Sequence, residues 1–262
     1  MMVERLIFFD IDGTLVPDTS TGSFIAKRLG SLEQMAAAER AYEEGLIDNG
    51  EVCAIDAAAW RGYRRAKVES WLDELPLIAG IRETVDACRG AGMEPHLASL
   101  AWTVVGEYLC RRFGFAGCCG PVLEEEDGVF TGRVKRVFDE YDKRDYALGV
   151  CAERGIEPAR CIAVGDSRSD LPLFAAVGKS IAFNGSPAAR AAATRCVDGP
   201  SLTAILKNQD RVRNQDRGNF AFDGSRLPRV DLRPARRNPR QMLQYLARSG
   251  PDGRATCAPA QA

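Results

Sequence analysis

Apolar residues gather along the chain in short runs with two different periods. Runs at 5–9, 94–98, 161–164 and 180–183 are short, apolar and followed by polar or small residues, as buried strands are. Helical spacing occupies the stretches 80–90, 101–113, 143–154 and 186–194 between them. Strands alternating with helices predict an α/β fold with a parallel sheet covered on both faces. The interval from Thr14 to Pro76 breaks this rhythm: it is rich in Ala, Glu and Arg and holds no convincing strand, so it reads as a helical insert. In "CCGPVLEEEDGVFTGRV", Asp127-Gly128 separates two short β-like runs, the composition of a hairpin.

After Lys207 the periodicity fades into a polar stretch rich in Arg and Pro, with one short helical pattern around "PRQMLQYLARS". The expected division is a core of residues 1–14 and 76–207, a helical cap over 15–75, and a largely disordered tail over 208–262. Charge follows the same boundary. The chain's formal net charge is −1, yet eleven Arg and five Asp fall after Lys207, leaving residues 1–207 acidic. The arginines are mixed with acids and lack interleaved aromatics, which favours a solvated tail over a nucleic-acid-binding arm.

Composition adds limits. Hydrophobic residues make up 45% and charged residues 27% of the 262 positions, ordinary values for a globular protein with a packed core. No apolar run approaches the roughly eighteen residues that span a bilayer, and "MMVERL" lacks the regions of a secretory signal, so the expected location is cytoplasmic, without membrane partners. Nine scattered cysteines with no C-x-x-C pair read as reduced thiols of the core rather than a metal clip.

Chemistry enters at "LIFFDIDGTL", where a buried strand runs into two aspartates, Asp10 and Asp12. Open parallel sheets collect reactive groups at the carboxyl ends of their strands. Two carboxylates this close require a cation or a shared proton, and hard oxygen ligands suit Mg²⁺. Gly13-Thr14 then lets the chain turn sharply and offers a hydroxyl and N–H groups to a phosphate. Later strand ends bring Ser99 in "EPHLASLAW" and Asp166 and Asp170 in "CIAVGDSRSDLPLF". Asp166 is placed to complete a metal site. Asp170 reads equally as a supporting anchor or as an acid at a helix start. Lys143 begins the helical stretch "EYDKRDYALGVCAERGI", and the lone histidine, His96, falls inside a strand and is expected to pack there.

Taken in order, "DIDGTL", Ser99, Lys143 and "GDSRSD" resemble the four motifs of the haloacid dehalogenase-like phosphatase superfamily, closest to subfamily IB, the phosphoserine-phosphatase-like branch. The resemblance covers residues 4–206, and Lys143 stands 23 residues before Asp166, a spacing typical of it. It implies a Rossmann-like doubly wound parallel sheet with a small helical cap inserted after the first strand. It also implies a Mg²⁺-dependent phosphomonoester hydrolase working through an aspartyl-phosphate. Asp10 would be the nucleophile and Asp12 the acid and base. Asp10, the backbone carbonyl of Asp12 and Asp166 would hold the metal, and Thr14, Ser99 and Lys143 would bind the phosphoryl oxygens.

Enzymes of that branch that act on phosphoserine use a glutamate shortly after the first motif and an arginine in the cap. Here the first position is Thr19, and "LIDNGEVCAIDAAAW" contains no basic residue. Arg61, Arg64, Arg65 and Lys67 lie farther along and read as a solvated helix face more than as site residues. The expected substrate is therefore a small phosphorylated metabolite other than phosphoserine. Phosphoserine, and phosphoryl transfer to another alcohol, remain as alternatives; a non-catalytic scaffold of the same fold sits poorly with the intact acids.

Overall fold

Strand β1 (Arg5–Phe9) sends Ile7 and Phe9 into one apolar cluster and Leu6 and Phe8 into another. Burial on both faces is what a central parallel strand requires. The computed structural model describes residues 3–207, so the expectations for the Arg-rich tail, its short helix included, lie outside the described residues.

From β1 the chain runs through four helices, α1 (Thr21–Leu29), α2 (Leu32–Glu43), α3 (Asn49–Ala59) and α4 (Arg65–Trp71), with no strand among them. Ser20 caps α1 by accepting the Ser23 N–H, and Asp48 and Glu51 close a capping box on α3. Ala26, Met35, Ala38, Ala41, Ile47 and Val52 give this helical layer an apolar cluster of its own.

The rest of the chain alternates as the pattern predicts. It continues through α5 (Ile81–Gly90), β2 (Met93–Ala98), α6 (Thr103–Phe113), β3 (Cys118–Cys119), β4 (Val122–Glu126), β5 (Val129–Arg136) and α7 (Glu140–Arg154). Then follow β6 (Ile162–Gly165), α8 (Leu171–Phe174), β7 (Lys179–Phe183), α9 (Pro187–Ala192) and β8 (Arg195–Val197). Six parallel strands form one sheet in the order β3-β2-β1-β6-β7-β8. The chain winds outward from β1 in both directions, so the sheet is doubly wound, and the carboxyl ends of β1, β2 and β6 lie side by side.

Two strands escape the sequence pattern. Cys118–Cys119 and Arg195–Val197 are two and three residues long, too short to carry a period, and are defined by pairing alone. The Cys pair joins the main sheet rather than the hairpin, which is β4 with β5. Asp127 and Gly128 both take positive φ, 50° and 76°, as a two-residue turn of type I′ requires. The hairpin is bound to the helical layer: Gly62 N–H donates to Phe130 O and Arg65 N–H to Gly128 O, both at 2.9 Å, and Trp60 meets the Phe130 ring edge-on at 5.1 Å.

Candidate active site

The chain leaves β1 through a tight turn. Asp10 N–H still donates to Val164 O of the neighbouring strand, and Leu15 and Val16 N–H then return to Ile11 O. Gly13 at φ 79° makes that reversal possible, and a Cβ there would lie 2.2 Å from Asp166 Oδ2. The glycine is therefore what allows Asp166, from the loop after β6, to approach the β1 turn. Thr14 Oγ1 donates to Asp166 Oδ1 at 3.0 Å and ties the two loops together.

Lys143 lies in the first turns of α7, which begins three residues earlier than the sequence pattern suggests because Asp139 and Asp142 form a capping box. Its side chain is wholly buried, with Nζ 2.5 Å from Asp170 Oδ1 and 3.0 Å from Asp10 Oδ2. Burial works against its charge, but Asp10 and Asp170 outweigh it and hold its pKa above the usual lysine value. Asp170 is further held by the N–H groups of Asp166 and Ser167, which donate to Oδ2 at 3.0 and 3.1 Å.

Asp10, Asp166 and Asp170 each present a carboxylate oxygen within 4.8 Å of the others. Three acids face one lysine. Burial, then the charges of Asp10 and Asp170, push Asp166 up to about 8, and burial pushes Asp170 up to about 6 against the pull of Lys143. An uncompensated set of hard oxygen donors fits a divalent cation such as Mg²⁺. The Asp12 carboxylate stands outside this group: Thr21 N–H donates to its Oδ1 at 2.6 Å and Thr21 Oγ1 to its Oδ2 at 3.2 Å. Enclosure raises Asp12 to about 7, with Thr21 opposing and the nearby Asp10 charge adding to the rise. A carboxyl poised near neutrality can both give and take a proton.

Ser99 is buried at the end of β2, where its Oγ accepts the Ala101 N–H at 3.2 Å. It does not cap α6, which starts four residues on. Ser99, Asp10 and Asp12 open onto one cavity of about 300 Å³ whose other wall is the helical layer, including Met35, Glu39, Tyr42, Glu43, Val52 and Asp56, with Trp102 from the core. Sequence reasoning missed these wall residues; only Val52 and Asp56 fall within "LIDNGEVCAIDAAAW", whose lack of basic residues was the one signal, and the others carry none. Thr19 does not line the cavity, although Ser20 and Thr21 do. Arg61, Arg64, Arg65 and Lys67 do not line it either; Arg65 is paired with Glu69, Glu107 and Glu125 instead. His96 packs in the core against Phe8, its ring nitrogens 3.1 Å from Tyr146 Oη and 2.9 Å from Glu94 Oε1. Among the described residues no helix is long and apolar enough to cross a membrane.

Comparison with known proteins places these features in a group. The family model of haloacid dehalogenase-like hydrolases matches residues 7–175. A phosphoserine phosphatase of Albidiferax ferrireducens is 31% identical over 210 residues, 78% of this chain and 88% of the relative. One from Polaromonas sp. is 30% identical over 210 residues, covering 78% and 89%. A solved phospho-aspartyl intermediate analogue of a phosphoserine phosphatase superposes with a TM-score of 0.70 at 25% identity, over 78% of this chain and 98% of that one.

Proposed function

We propose that this chain, which belongs to the haloacid dehalogenase-like hydrolase family, is a phosphatase that cleaves a small phosphate monoester with Asp10 as nucleophile. The observation that carries the reading is the buried contact of Lys143 with Asp10, which together with Asp12 lines the cavity.

An Asp10 oxygen attacks phosphorus as the bond from phosphorus to the ester oxygen breaks, giving an aspartyl-phosphate and an alkoxide. Asp12, near neutrality in its pKa, gives that alkoxide its proton. It then takes one from a water that attacks the phosphorus, which restores Asp10 and releases inorganic phosphate. Thr21 holds the Asp12 carboxyl in place for both transfers. Lys143, Thr14 and Ser99 offer a cation and hydroxyls to the phosphoryl oxygens, a matter of positioning and charge. Asp10, the Asp12 carbonyl and Asp166 would hold Mg²⁺, with Asp170 beside them. When bound, the metal neutralises charge between the carboxylates and the phosphoryl group. The reaction would take place in the cytoplasm, without membrane or nucleic-acid partners.

Phosphoserine is the second reading, favoured by the names of the relatives. The cavity wall speaks for a different metabolite, because no Lys, Arg or His among the described residues lines it to receive the serine carboxylate. The full-length protein assayed with Mg²⁺ against a panel of phosphometabolites, beside Asp10→Asn, tests both. Loss of hydrolysis in the variant is expected. Fast, selective turnover of phosphoserine overturns the choice of substrate, and phosphate release that is absent from wild type or indifferent to Asp10→Asn overturns the reaction. Adding alcohols to the assay separates hydrolysis from phosphoryl transfer.

A further inference from the structure

Resting on the phosphatase reading, we propose that the substrate is the phosphate ester of an amino alcohol: a leaving group that carries an ammonium and no carboxylate.

Asp56 carries the argument. It is 4% exposed on α3, with Oδ1 accepting from Trp60 Nε1 at 3.2 Å and Oδ2 from Trp102 Nε1 at 2.6 Å. Two neutral indole N–H groups orient the carboxylate but supply no countercharge. Among the described residues no Lys, Arg or His lies within ion-pair distance of it, although Asp56 lines the cavity that Asp10 and Asp12 also line. Buried charges are ordinarily paired, because an unpaired one forfeits several kcal/mol of hydration, on the order of the cost of breaking a buried ion pair. A cation brought by the ligand would complete the pair.

The rest of the wall has the same sign. Glu39 and Glu43 line it, and the Glu39 oxygens take hydroxyls from Ser20 and Ser23 rather than a cation. The Tyr42 hydroxyl is buried with no hydrogen-bond partner among the described residues, a polar atom open to a ligand on the same wall. Met35, Val52 and Trp102 supply apolar and aromatic surface suited to a short alkylammonium. A leaving group bearing a carboxylate would meet Asp56, Glu39 and Glu43, with no Lys, Arg or His among the lining residues; Arg168 is stacked on the Tyr42 ring and donates to the Tyr42 carbonyl rather than lining the cavity. A neutral polyol would leave Asp56 uncompensated.

The test is kcat/KM of the full-length protein with Mg²⁺ on a matched set: phosphoethanolamine, 2-hydroxyethyl phosphate and phosphoglycolate, with p-nitrophenyl phosphate as control. We expect the ammonium ester to exceed the neutral one by about 10-fold or more, and the anionic one by a further factor of about 10 or more, each factor being 1.4 kcal/mol of discrimination. In Asp56→Asn, and in the exposed Glu43→Gln, whose folding is not at stake, the ratio of ammonium to neutral ester should fall toward one. Equal or better turnover of the neutral or anionic ester overturns the proposal, as does a ratio unmoved in both variants. Hydrolysis of p-nitrophenyl phosphate alone overturns it too while leaving the phosphatase reading intact; no hydrolysis of any ester takes both down.

Discussion

Lys143 Nζ lies 2.5 Å from Asp170 Oδ1 in a pocket closed to solvent, joining the first turns of α7 to the loop after β6. The same ammonium lies 3.0 Å from Asp10. Asp170 thus spreads one lysine over two strand ends and also accepts two backbone N–H groups. Removing it leaves the buried cation with Asp10 alone and two backbone N–H groups unsatisfied. Asp170→Ala should cost about 3–5 kcal/mol in chemical denaturation. Lys143→Met should cost activity as well, by about 10²–10³ in kcat, the scale for losing one charge-stabilising donor.

Gly13 offers a cleaner probe of how closely the two loops must meet. Gly13→Ala would place Cβ 2.2 Å from Asp166 Oδ2 at φ 79°. We expect activity to vanish together with any Mg²⁺-induced rise in Tm. Gly30→Ala has nearly the same φ, 76°, with nothing within 4 Å of the new Cβ. That variant should lose only about 1 kcal/mol, the backbone cost, and keep its response to metal.

Charge crowding predicts a signature of metal removal. Asp166 is raised to about 8 by burial and by Asp10 and Asp170, so its ionised form strains the metal-free protein. Calorimetry should show wild type gaining about 2.7 kcal/mol when Mg²⁺ reaches 100 times its dissociation constant, and losing this in EDTA. Asp166→Asn should melt higher than wild type in EDTA and gain nothing from Mg²⁺.

Asp56 makes the stability of the protein depend on pH with a definite sign. Burial lifts its pKa from 3.8 to about 6 despite the two indole hydrogen bonds. A raised carboxyl pKa means that the folded state holds the proton more tightly than the unfolded one. Its contribution is therefore most favourable below pH 4 and is lost as pH rises to about 6. The stability of Asp56→Asn relative to wild type should rise by about 3 kcal/mol between pH 3 and 8, at about 1.4 kcal/mol per pKa unit. A flat difference across that range would show that Asp56 is not held in a desolvating site.

The parts that were legible in sequence are those whose cause is local. The run Leu6–Phe9 is apolar at every position because a central strand is buried on both faces, and it could be read without knowing its neighbours. Asp127-Gly128 announced its hairpin because few other residue pairs accept two positive φ values. Asp10, Asp12 and Gly13 sit within four residues, so their crowding was visible in the string. Asp170 was ambiguous for the opposite reason. An acid before a helix has the same local signal whether it caps the helix or reaches 27 residues back to Lys143. Short strands at Cys118–Cys119 and Arg195–Val197 had no period to read.

By itself, then, the sequence determined a parallel α/β core, the helical insert and the acids at the strand ends, because strand burial, turn chemistry and helix spacing act over a few residues. Tertiary structure alone decided what the cavity is made of. Asp56 and Trp60 lie on one helix face, but Trp102 reaches Asp56 from 46 residues away, and Glu39 and Tyr42 come from another helix again. No local pattern encodes that they share a wall, nor that no cation among the described residues reaches the buried carboxylate there, since charge pairing is a property of distance in space and not along the chain.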